Sequence, residues 1–227
     1  YIIVMQKFIR ASRIDSILCF ENELSIKNSV LQDYFRFSYV PTEESIYEGI
    51  ESLKPGLCYI YDLTEEKYST IDFRKDYYDT SQKESFYRLL QSKTKQALIG
   101  EVPMGILLSG GVDSGLLACL QSKKEIKAFT VSTSDLHYDE AKRALKLAKH
   151  LSLQHFVISF HNEFNSDDFF SFLKSLDQPF ADSSVVLSWT AFNYIKKNHP
   201  EIKVILTGDG GDEIWGGYNK HKILNLP

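Results

Sequence analysis

The sequence has 227 residues, 43% apolar and 25% charged, with a net charge of -4; that allows one domain or two small ones with a real core, and no charge block marks a nucleic-acid-binding surface. No apolar run approaches the ~20 residues needed to span a membrane, and the opening Tyr1 to Lys7 reads as a short β-like run rather than as a signal peptide. Three scattered cysteines, Cys19, Cys58 and Cys119, form no CxxC pair, which argues against a disulfide framework or zinc site and suits the reducing cytoplasm.

The first residue is Tyr1 rather than Met, so a piece of a longer chain is expected, with Met5 as the weaker candidate start. Ile2 to Gln6 and Phe8 to Ala11 read as strands, and Arg13 to Leu18 as a helical turn. Asn28 to Phe37 reads as a capped helix, and Thr42 to Leu53 as a second helical stretch. Lys54-Pro55-Gly56 is a turn. Leu57 to Asp62 and Tyr68 to Phe73 form a hairpin across 64–67. These elements make a poor independent core and suit the tail of a larger domain.

Further on, helices alternate with apolar strands. Helices are expected over Lys83–Ile99, Asp113–Ser122, Asp139–His150 and Ser183–Lys197. Strands are expected over Met104–Leu108, Ala128–Ser132, Phe156–Phe160 and Val204–Leu206. This alternation indicates βαβ units around a parallel sheet, an α/β fold. The domain boundary is placed at 75/76.

Two glycine-rich loops carry the chemistry. The first, Ser109-Gly110-Gly111-Val112-Asp113-Ser114, lies between an apolar strand and a helix. Gly110 and Gly111 allow backbone to approach phosphate oxygens. The free N–H groups and dipole of the helix start favour an anion. Ser109 and Ser114 can add hydroxyl donors. Asp113 would repel phosphate unless a cation lay between them, which makes it a natural Mg²⁺ ligand. No GxxxxGK[ST] or GxGxxG motif is present. The second loop, Thr207-Gly208-Asp209-Gly210-Gly211-Asp212-Glu213, repeats the plan after Val204-Ile205-Leu206. A helix cap explains one acid there, but not three among three glycines at a strand's carboxyl end, where ligands bind in open α/β sheets. If the two strands are neighbours, Asp212 can face Asp113 and both can hold Mg²⁺ on the pyrophosphate of ATP.

The two loops together resemble the glutamine-hydrolysing asparagine synthetase family. Residues 33–41 and 46–56, Tyr138-Asp139-Glu140-Ala141, His155 and Asp177 to Ser184 add to the likeness, which covers nearly the whole chain. The resemblance implies a doubly wound, adenine nucleotide α-hydrolase-like (PP-loop) domain over 76–227, cut short at its C-terminus. Before it, 1–75 would be the α+β remnant of an Ntn-type glutaminase domain. It implies ATP and Mg²⁺ as cofactors. Ser109, Gly110, Gly111, Asp113 and Ser114 would bind the pyrophosphate. Leu108, Val131, Thr207 and Gly208 would line the nucleotide, and Asp113 and Asp212 would bind Mg²⁺. Asp209 and Glu213 would act near the acceptor amine or activated acyl group. The implied reaction is adenylation of a carboxylate, aspartate foremost, and displacement of AMP by ammonia or another amine. The implied partners are these small molecules, with a homodimer formed through the glutaminase region and no nucleic acid or membrane.

The sequence departs from that pattern in three places. Tyr1 stands where the glutaminase nucleophile, a cysteine, opens the family's chains. The family's later catalytic lysine has no counterpart here, since Lys220 and Lys222 read as surface residues. Asp209 is one methylene shorter than the glutamate common at its position. Alternatives are a family member acting on another acceptor, such as a natural-product cyclase or sugar amidotransferase, and a non-catalytic ATP-binding fragment. The six histidines show no metal-ligand spacing, and His155 is a candidate for orienting a loop. Tyr77-Tyr78 and Phe169-Phe170 read as packing residues.

Overall fold

A computed structural model describes residues 2–5, 7–20, 23–41, 43–65, 67–74, 85–97, 102–121, 126–134 and 140–221. Tyr77-Tyr78, Tyr138-Asp139 and Lys222, singled out above, lie outside these residues. The chain divides into two compact units: Tyr1–Lys83 with Phe170–Ser183, and Glu84–Phe169 with Ser184–Pro227.

In the first unit, β1 (Ile2–Met5) pairs antiparallel with β2 (Lys7–Arg10). Helix α1 (Ile14–Leu18) follows, then α2 (Asn28–Phe37), which ends at Ser38 in the left-handed conformation (φ 68°). β3 (Ile50–Glu51) returns to the other edge of β1, with Ile3 opposite Ile50. Ile14, Ile17 and Ile50 are fully buried together, and Val30, Val40 and Ile46 form a second small cluster. β4 (Leu57–Asp62) and β5 (Lys67–Asp72) make the expected hairpin. Asp62 Oδ1 accepts from Thr64 N at 2.7 Å at its turn.

Of the helix expected over Thr42 to Leu53, the described residues 43–53 form no part. Ile46 and Ile50 have helical spacing, but Gly49 has φ +75° and breaks any helix there. The segment's backbone bonds elsewhere: Lys27 N donates to Ile46 O at 2.8 Å and Glu48 N to Ser25 O at 2.9 Å. Ile46 N donates to Gln178 Oε1 at 2.8 Å. That glutamine belongs to the 170–183 stretch, which also gives Ala181 N to Ser38 O at 2.8 Å.

The second unit opens with α3 (Phe86–Ala97). Then come β6 (Met104–Leu107), α4 (Val112–Gln121), β7 (Lys127–Ser132), α5 (Ala141–His150) and β8 (Gln154–Ser159). The short α6 (Phe160–Glu163) leads to α7 (Ser166–Ser175), along which the chain passes into the first unit. It returns for α8 (Ser184–Asn198), β9 (Val204–Leu206) and α9 (Gly211–Trp215). Neither α6 nor α7 was expected from the sequence.

The four strands form one parallel sheet in the order β8-β7-β6-β9. Side chains alternate between its faces. Met104, Ile106, Leu108, Ala128, Val204 and Leu206 pack on one side with Ala118 of α4 and with Ala144 and Ala148 of α5. Leu107, Phe129, Val131, Phe156, Ile158 and Ile205 pack on the other with Ala191 and Ile195 of α8. Helices thus cover both faces, the doubly wound arrangement, and the strands read as continuous apolar runs for that reason. Full burial of a residue such as Ile106 or Phe129 contributes about 1.5–3 kcal/mol. Among the described residues no helix is long and apolar enough to cross a membrane.

Candidate functional site

From β6 the chain steps outward to β7 and β8, and then jumps back so that β9 pairs with the free side of β6. The order reverses between β6 and β9. Their carboxyl ends therefore flank the crevice in which α/β sheets bind ligands. Ser109–Ser114 follows β6 and Thr207–Asp212 follows β9, so the two glycine-acid loops are neighbours. The register sets Ile106 against Leu206.

A cavity of about 510 Å³ opens there. Leu108, Ser109, Gly111, Asp113, Ser114, Val131, Thr207, Gly208, Asp209 and Asp212 all line it. Gly110 does not. It lies under the start of α5 with φ +74°, where an added β-carbon would come within 2.6 Å of Ala144 N. Glu213 does not line it either. That side chain is exposed and accepts a hydrogen bond from the Tyr218 hydroxyl at 2.7 Å, which holds its carboxyl below the usual range. The sequence reading missed Glu140, Thr130 and the α8 residues Ser184, Leu187, Ser188 and Ala191. The last four are spaced as one helical face, a signal present in the sequence.

The first loop is held by its own serines. Ser109 N donates to Ser114 Oγ at 3.2 Å, and Gly111 N donates to Ser109 Oγ at 3.1 Å. The two hydroxyl oxygens lie 2.8 Å apart. One hydroxyl proton is used between them, which leaves the other for a ligand. Gly115 N donates to Gly111 O at 3.1 Å and closes the first turn of α4.

The cavity's charge is one-sided. Among the described residues its lining holds four carboxylates, Asp113, Glu140, Asp209 and Asp212, and no lysine, arginine or histidine. The Asp113 carboxylate packs against Gly211, beside Asp212, while the Asp212 carboxylate lies against Gly217. Among the described residues no group of three or more His, Cys, Asp or Glu side chains is placed to hold a metal. Asp113 and Asp212, one from each glycine-rich loop, nonetheless both line the cavity, and such a pair fits Mg²⁺, which takes one or two protein carboxylates and completes its shell with other oxygen ligands.

Glu140 stands at the start of α5, 3.0 Å from Arg143. Burial pushes its carboxyl above the usual range, and Arg143 opposes this. The folded state thus favours the protonated acid, and its contribution is lost as pH rises through the raised value. The Glu140→Gln variant is expected to be modestly more stable than the parent above the carboxylate range. The difference should close as pH falls through Glu140's raised pKa. Urea unfolding of both proteins across pH checks this, and parallel stability profiles would refute it.

The sheet order, the glycine turn after β6 and the acidic loop after β9 define a doubly wound α/β fold with two glycine-rich loops at the carboxyl end of its parallel sheet. The chain belongs to the asparagine synthase family, whose sequence model matches residues 85–226. It is 28% identical over 233 residues to the putative asparagine synthetase [glutamine-hydrolyzing] 2 of Methanocaldococcus jannaschii, covering 95% of this chain and 44% of that protein. It is 23% identical to asparagine synthetase [glutamine-hydrolyzing] 1 of Bacillus subtilis, covering 93% of this chain and 34% of that one. The chain thus spans less than half the length of these relatives. Among solved structures, the NH3-dependent NAD synthetase of Campylobacter jejuni superposes with a TM-score of 0.39 at 17% identity, over 60% of this chain and 62% of that one.

Proposed function

We propose that this chain carries the ATP-cleaving part of an amide-forming ligase. The observation that carries the reading is the pairing of β6 with β9, which brings the serine-glycine loop and the acidic loop to one cavity. Ser109, Gly111 and Ser114, which line the cavity, would bind the pyrophosphate portion of ATP, with a serine hydroxyl among the donors, while Gly110, expected to join them, shapes the loop from outside the lining. Leu108, Val131, Thr207 and Gly208 border the nucleotide. Asp113 and Asp212 would hold Mg²⁺, which would neutralise phosphate charge in a cavity whose described lining offers no basic side chain. Residues 1–75 are read as the closing part of a glutaminase-like domain, and 76–227 as the synthetase domain.

In the proposed reaction a substrate carboxylate oxygen attacks the α-phosphorus of ATP. The bond to the bridging oxygen breaks, pyrophosphate leaves, and an acyl-adenylate remains. Ammonia or another amine then attacks the acyl carbon, AMP departs, and the amine loses a proton. Asp209, which lines the cavity, would receive it. Glu213 would join only after leaving Tyr218. Aspartate is the favoured carboxylate. The chain contributes positioning and charge stabilisation rather than covalent chemistry.

Pyrophosphate exchange tests the reading. With Mg²⁺ and a panel of carboxylates, labelled pyrophosphate is expected to enter ATP only when the right acid is present. Release of ADP and phosphate instead would sink the adenylation mechanism.

A further inference from the structure

One side-chain hydrogen-bond chain ties β8 and β7 to the end of β6. Ala128 of β7 is the residue paired with His155 of β8, and Thr130 lies two positions further along the same face. The His155 ring therefore reaches diagonally to the Thr130 hydroxyl. Thr130 Oγ1 lies 2.8 Å from His155 Nε2 and donates to the carbonyl of Leu108. A hydroxyl has one proton. With that proton on Leu108, Nε2 carries the ring hydrogen and donates. Nδ1 is then bare, and it is buried without a hydrogen-bond partner among the described residues. Burial also holds the ring below the usual histidine pKa, which keeps it neutral.

Leu108 is the last residue before the phosphate loop. Its N–H donates to Phe129 O at 2.8 Å, so both of its backbone polar groups are bound to β7. Among the described residues the carbonyl's partner is the Thr130 side chain, whose hydroxyl can rotate. A donor entering the hydroxyl's lone pair fixes that rotor and polarises the bond beyond it.

We infer that His155 is a positioning residue for the phosphate loop: through the Thr130 hydroxyl it fixes the direction in which the chain leaves the sheet at Leu108, and hence where the N–H groups of Ser109–Ser114 point. This rests on reading the cavity as a nucleotide site.

The test uses the whole chain. Calorimetry with ATP and Mg²⁺ compares the parent with Thr130→Val, Thr130→Ser, His155→Ala and the Thr130→Val/His155→Ala double variant. Valine keeps the shape and removes the hydroxyl, and is expected to weaken ATP about tenfold. Serine restores the hydroxyl alone and should stay within about twofold, whereas loss of a packing role would not be rescued this way. The double variant should bind no more weakly than Thr130→Val, since both changes cut one chain. Nitrogen-15 NMR of labelled histidine should find the His155 proton on Nε2. Equal ATP affinity in folded Thr130→Val and parent, or a ring proton on Nδ1, would overturn the inference. If the parent binds no nucleotide, the ligase reading falls instead, and the position of the ring proton alone decides the inference.

Discussion

Asp113→Asn is expected to remove the Mg²⁺-dependent part of ATP binding, at least about a hundredfold, while the fold and the Mg²⁺-independent part remain. The substitution keeps the side chain's shape, so its contact with Gly211 survives. It removes the charge that a cation would share with the phosphates. The effect is large because, among the described residues, the cavity lining offers no basic side chain that could bind phosphate directly. Titrating ATP into both proteins with and without Mg²⁺ separates the two parts. Asp209→Asn, also in the cavity lining, should keep the Mg²⁺ dependence. An Asp113→Asn protein that binds ATP as tightly as its parent, with the same response to Mg²⁺, would remove the metal assignment.

Gly110→Ala is expected to destabilise the second unit by about 2–6 kcal/mol. The residue sits at φ +74°, which costs an L side chain energy in any surroundings. The new methyl would also meet Ala144 N at 2.6 Å and Arg143 Cβ at 2.7 Å. The first is helix backbone, which cannot swing aside as a side-chain tip could. Either the loop or the start of α5 must move. Against the about 5–15 kcal/mol that holds an ordinary domain folded, such a loss is severe. Gly210→Ala is the matched control. Its φ is +89°, but nothing lies within 4 Å of the added carbon. Only the backbone cost of about 1–3 kcal/mol applies there. Urea denaturation of the three proteins should rank them in that order, and equal losses would show that the contact with α5 carries no weight.

Much of the second unit was legible because its signals are local. Apolar runs such as Met104–Leu108 and Ala128–Ser132, each followed by a helical pattern, admit few arrangements other than a parallel sheet. The glycine-acid loops marked the carboxyl ends, and the prediction that Asp212 and Asp113 share a crevice needed only β9 beside β6. What escaped depended on distant partners. Residues 44–50 carry helical spacing, yet Gln178, more than a hundred positions away, takes the Ile46 N–H. The link between Thr130 and His155 exists only in one strand register. Helix α7 was a different kind of miss, since a local signal was there. Asn165 Oδ1 accepts from Asp167 N at 2.9 Å, and Asp168 Oδ2 accepts from Asn165 N at 2.9 Å. That reciprocal pair is a capping box written as Asn-Ser-Asp-Asp.

The excursion of 170–183 into the first unit bears on how the gene can be cut. The family match begins at residue 85, which invites expression of that stretch alone. Such a product would carry Gln178 and Ala181 but lack Ile46 and Ser38, to which they bond. Phe172, 4% exposed in the intact chain, would lose the setting that covers it. The orphaned segment also leads directly into α8, a wall of the cavity. A fragment that respects the sequence match would therefore divide the first unit and strip 170–183 of its hydrogen-bond partners. Its failure to bind nucleotide would report the missing first unit rather than a defective loop.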